Sequence, residues 1–138
     1  FEVLNTGGSD LSSFTTMHAV DMDHDIEIGG SYSTWNDTHD DGLYAESLAN
    51  SDYTAAGYGA CDSGDELGHT DWSTDILAEL RDDDGDADDD TIHWRHTEGT
   101  IATGETAAFG FLVVTGPDSE TARAIYDEYA PTMCVEAE

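Results

Sequence analysis

Apolar and polar residues alternate along residues 14–30. Met17 and Ala19 fall on one side of an extended chain, and His18, Val20 and Met22 on the other. Further on, Ile26 and Ile28 alternate with Asp25 and Glu27. A period of two predicts a β-strand with one buried face, and Gly29-Gly30 ends it. The same reasoning predicts strands over residues 1–4, 43–48, 52–60, 91–97 and 107–114. Within 91–97, Ile92, Trp94 and His96 share one face, with His93 and Arg95 on the other. Residues 107–114 are the most hydrophobic stretch, and Gly116-Pro117 stops it. Met17, Val20, Ile26 and Ile28 are therefore expected against Phe109, Phe111 and Val113. Val20, Ile26 and Ile28 keep one alternation and Met17 does not. That predicts a bulge near Met17, or burial on both faces there.

Two segments show helical spacing instead. After a cap at Asp118 or Ser119, the apolar positions Ala122, Ile125, Tyr126 and Tyr129 predict a helix over residues 120–130. Glu120 suits the positive end of its dipole, and Pro131 is expected to end it. Trp72, Ile76, Leu77 and Leu80 predict a short helix over residues 71–80. Residues 5–10, 61–70 and 98–106 have turn chemistry. Residues 31–44 are polar and read as a long excursion. Many strands, Gly-rich turns and a terminal helix predict a mainly β protein. The expected fold is an antiparallel β-sandwich with one C-terminal helix and a short central helix, a single domain over residues 1–138.

Charge changes the picture. The chain has 32 acidic residues against 3 basic ones, all Arg, for a formal net charge of -29. Such a charge opposes compaction through self-repulsion. At about 1 M salt the Debye length is roughly 3 Å and the repulsion is screened. Abundant Asp with no Lys resembles the proteins of halophilic archaea and their viruses. Almost nothing here could neutralise phosphates, which argues against nucleic acid and anionic membrane surfaces. No run of about 18 apolar residues is present, so membrane insertion is not expected. Phe1 already lies in a strand-like run, so an upstream segment is expected. Cys61 and Cys134, an even count in an exported chain, predict one disulfide. These features predict an extracellular, cell-surface or virion-surface location in a high-salt environment.

Acidic clusters are the first candidates for chemistry. Asp82, Asp84, Asp86 and Asp88 surround Gly85 and could bind Ca²⁺, although the spacing is not that of an EF-hand. Asp21, Asp23 and Asp25 are a weaker candidate, because one strand face spreads its ligands out. Zinc is not expected. His93 and His96 fall on opposite faces of a strand, His18 and His24 lie about 20 Å apart, and no Cys-x-x-Cys or His-Glu-x-x-His is present. The Asp62-Ser63-Gly64 triplet lacks the context of a catalytic serine, so the protein is expected to be non-enzymatic. Trp35 and Tyr32, in the polar excursion, could stack on sugar rings. Asn36-Asp37-Thr38 is an N-glycosylation acceptor pattern.

Several motifs together resemble the galactose-mutarotase-like "supersandwich" domains that precede the catalytic domains of some glucoamylases and dextran-degrading enzymes. They are Asn5-Thr6-Gly7, Val20-Asp21-Met22-Asp23, residues 99–105 before a hydrophobic strand, and Thr115-Gly116 before a helix holding Glu120-Thr121-Ala122. The resemblance touches both ends of the chain and implies an accessory, non-catalytic role. Taken together, the expectation is a structural or adhesive module of a surface, appendage or virion assembly, associating with copies or other subunits through strand edges. The alternative is an accessory carbohydrate-binding domain whose partner is a polysaccharide.

Overall fold

The computed structural model describes residues 1–21, 34–39, 44–48, 54–62, 64–71, 75, 80 and 90–134. Within these, the strands are β1 (Glu2–Leu4), β2 (Leu11–Asp21), β3 (Trp35–Thr38), β4 (Tyr44–Leu48), β5 (Ala55–Ala60), β6 (Asp65–Asp71), β7 (Asp90–Ile101), β8 (Thr106–Ala108) and β9 (Phe111–Gly116). One helix follows, α1 (Ser119–Met133). A three-stranded sheet runs β2-β7-β6, a four-stranded sheet runs β3-β4-β5-β9, and β1 pairs with β8. All pairings are antiparallel. The chain is mainly β with one C-terminal helix, as its alternation predicts.

The four-stranded sheet is the middle layer, and β5 shows why. All six of its residues, Ala-Ala-Gly-Tyr-Gly-Ala, are buried. A strand covered on both faces carries no polar alternate positions. On one face, Ala45, Tyr58 and Ala60 meet Leu67, Ile92, Trp94 and Phe109. On the other, Tyr44, Ala55 and Val114 meet Ala122 and Tyr126 of α1. The helix comes very close. A Cβ on Gly59 would stand 2.1 Å from the Tyr126 ring, and Tyr126 Oη donates to Ala60 O at 2.8 Å. Gly59 is therefore a docking seat for the ring.

Several boundaries differ from those the sequence predicts. Residues 61–70 are not a loop throughout, because β6 begins at Asp65. Gly64 and Gly68 carry turn chemistry, but Gly64 serves close approach, since a Cβ there would lie 2.9 Å from Thr97 O. Residues 107–114 are not one strand. Phe109-Gly110 separates β8 from β9, so the hydrophobic run changes sheets midway. Val113 shares the face of Tyr58 and Phe111 yet is 58% exposed, while Val20, Phe109 and Phe111 join the cluster at Trp94. β2 carries no bulge at Met17, for its register with β7 holds from Leu11↔Ile101 to Asp21↔Thr91. Instead Thr16 and Met17 are both half-buried, so both faces are partly covered there.

Pro131 does not end the helix but sits in its last turn, and Cys134 N donates to Ala130 O beyond it. Proline removes one intrahelical hydrogen bond and crowds the carbonyl four residues back, and the helix runs only two residues beyond it. Asp118 is the N-cap, accepting from Thr121 N at 2.7 Å. Of the short helix expected over residues 71–80, Asp71 is the last residue of β6, and Trp72, Ile76 and Leu77 lie outside the described residues. Ile26 and Ile28 lie outside them too.

Candidate functional site

Histidines mark where polar chemistry enters this fold. Asp65 and His96 are direct cross-strand partners, and His96 Nδ1 donates to Asp65 Oδ1 at 2.8 Å. His69 Nδ1 donates to Asp90 Oδ2, also at 2.8 Å, with both side chains buried. His93 lies buried against Thr91 Oγ1 at 2.6 Å and Met17 Sδ at 3.2 Å. Burial, and then the nearby Arg95 charge, lower its pKa below the usual histidine value. His18 Nδ1 and Tyr58 Oη share a hydrogen bond of 2.7 Å, and burial pushes the Tyr58 phenol up to about 12. These contacts tie neighbouring strands together, and the His18–Tyr58 pair joins the two sheets.

The fifth described histidine stands apart at the β3–β4 hairpin. Asp37 and Glu46 are directly opposed across the two strands, and His39 follows Asp37 by two residues. Alternation puts all three on one face, that of α1. One donor atom from each lies within 4.8 Å of the others. His39 Nε2 is 3.3 Å from Glu46 Oε1. Ser119 Oγ, at the start of α1, donates to the same oxygen. Burial holds the Tyr44 phenol well above its usual range, and the Glu46 charge adds to that. Ser119, Glu46 and His39 are not a nucleophile triad. The carboxylate stands between hydroxyl and imidazole, so the imidazole cannot take the hydroxyl proton.

The sequence missed this group because residues 31–44 read as an irregular polar excursion. The signal was present as acidic, imidazole and acidic residues at 37, 39 and 46, legible only if a hairpin is assumed.

The residues singled out from sequence fall as follows. Cys61 and Cys134 are joined, with Cα atoms 4.7 Å apart, linking the end of β5 to the end of α1. Trp35 opens β3 and is 45% exposed. Asn36 is buried, its Oδ1 accepts from Thr34 Oγ1 and its amide donates to Thr34 O, both at 3.2 Å. Asp21 is half-buried at the end of β2 opposite Thr91. Asp23, Asp25, Tyr32, Ser63, Asp82, Asp84, Asp86 and Asp88 lie outside the described residues.

A last feature is the margin of the middle sheet. β9 has β5 on one side, and among the described residues no strand pairs with the other. Its sequence, Phe-Leu-Val-Val-Thr-Gly, holds no charge. Natural edge strands are commonly protected by charge, proline or a bulge, and β9 has none of these. A cleft near the disulfide continues this region, lined by Phe1, Cys61, Phe111, Leu112, Met133 and Cys134 among others. Set against protein-family models, curated proteins and solved structures, the chain finds no match.

Proposed function

We propose that the chain is a non-catalytic structural or adhesive module of an extracellular surface, appendage or virion assembly in strong brine, associating with further copies of itself through the β9 edge. The observation that carries this reading is the uncharged strand β9, whose second edge pairs with no strand among the described residues, with Val113 exposed on it, in a protein whose net charge is -29. An open edge supplies a full row of backbone donors and acceptors for strand addition. The Cys61–Cys134 disulfide supports an oxidising compartment. The acidic surface supports a saline one, where charge repulsion between copies is screened.

The test is light scattering on purified protein at about 0.1 M and about 1 M salt, with circular dichroism to follow folding. Association is expected at the higher concentration. Val113→Lys should abolish it without changing the spectrum, because a charge on an edge blocks pairing. A wild-type protein that stays monomeric in strong salt sinks the reading. The half-exposed Trp35 favours one alternative, an accessory carbohydrate-binding domain. That reading requires retention on an immobilised polysaccharide that Trp35→Ala removes.

A further inference from the structure

We propose that Asp37, His39 and Glu46 form a site for a single divalent transition-metal cation of the zinc type. The argument begins with the hairpin. Directly opposed residues of an antiparallel pair have Cβ atoms about 4.5–5.5 Å apart, and like charges there are destabilising. Asp37 faces Glu46 in that way. A cation between them turns repulsion into attraction. The imidazole of His39, two residues along on the same face, completes three donor atoms within 4.8 Å of one another.

Glu46 supplies the independent observation. Its side chain is only 1% exposed, and Oε2, like the hydroxyl of the neighbouring Tyr44, is buried without a hydrogen bond of ordinary geometry. A buried carboxylate is rare, and leaving one of its oxygens unsatisfied carries a desolvation cost. The His39 contact does not meet that need. It reaches Oε1 rather than Oε2, at 3.3 Å, and a charge-assisted hydrogen bond is usually about 2.7–2.9 Å. A separation near 3.3 Å is, however, the edge expected between two ligands of a tetrahedral ion with bonds of about 2.0–2.1 Å, and an ion shared by both carboxylate oxygens would also satisfy Oε2.

The surroundings are those of a metal site. Ser119 Oγ donates to Glu46 Oε1 and so orients the carboxylate from outside the ligand set. One imidazole with two carboxylates suits zinc and its neighbours, with the fourth position open to water. Calcium is disfavoured, since it takes about 6–8 oxygen ligands and one of the three donors here is nitrogen. The site would clamp the two strands of the β3–β4 hairpin to each other, a role independent of assembly through β9.

The experiment is titration of the metal-stripped protein with Zn²⁺ in strong salt and excess Mg²⁺, which occupies the many surface acids. One equivalent is expected to bind saturably, and Co²⁺ in its place should show the visible absorption of a four-coordinate ion. His39→Gln, at a half-buried position, should abolish this binding. Ser119→Ala should weaken it about 10- to 100-fold. Glu105→Gln, on an exposed turn, should leave it unchanged. Circular dichroism establishes that each variant is folded. Absence of a saturable equivalent in the wild type, or equal affinity in folded His39→Gln, overturns the proposal.

Discussion

His93 shows how one buried side chain makes stability depend on pH. Its folded pKa is lowered from 6.5, by burial first and then by Arg95. The unfolded chain therefore binds a proton that the folded one resists. The stability from this group is intact above the unfolded value of about 6.5 and is lost as pH falls below it toward the lower folded value. Wild-type protein should lose more stability than His93→Gln between neutral and mildly acid pH, measured as the shift in denaturant midpoint. Equal shifts would remove His93 as the cause. Gly59 makes the second residue-scale prediction. A methyl group there would stand 2.1 Å from the Tyr126 ring. Overpacking of this kind costs about 1–3 kcal/mol. Gly59→Ala should therefore destabilise the protein by that amount or more in chemical denaturation. Neither effect is visible in sequence, where alternation puts His93 only on the strand face opposite Ile92 and Trp94.

Helix α1 is the element best forecast from sequence and the one most dependent on a distant tie. Its cap at Asp118 and its apolar face at Ala122, Ile125 and Tyr126 follow from local pattern. Its end does not. Pro131 carries a helix-stopping signal, yet the helix reaches Met133, next to the disulfide-bonded Cys134. That bond joins residues 73 apart. The chain-entropy model gives a cross-link of this span about 4 kcal/mol. Reduction should lower the unfolding free energy by about that amount, with the last turn of α1 exchanging its amide hydrogens first. Unchanged stability after reduction would show that the cross-link contributes little. The β8–β9 break illustrates the opposite failure. Continuous hydrophobicity over residues 107–114 fits one strand as well as two, and only the partners β1 and β5 separate them. Strand β6 was hidden behind glycines, since turn propensity is a weak prior beside burial against β7.

At the scale of the whole molecule, charge and architecture act together. A formal charge of -29 on 138 residues repels itself in dilute buffer. The thermal midpoint should rise between about 0.1 M and about 1 M salt as the screening length falls from about 10 Å to 3 Å. A midpoint independent of salt would count against adaptation to brine. Screening also governs whether two copies can bring their β9 edges together, so stability and association should strengthen over the same range.

The sequence by itself determined the mainly β class, the terminal helix with its Asp118 cap, and the cysteine pair. Each rests on a local period, a local hydrogen bond or a count. Only the tertiary structure decided which sheet each strand joins, that Val113 is exposed and Asn36 buried, and that Asp37, His39 and Glu46 converge. The reason is physical. Alternation assigns a residue to one of two faces, but not the face to a partner. That partner is set by packing between segments far apart in the chain, as where Phe109-Gly110 turns one hydrophobic run into strands of two different sheets.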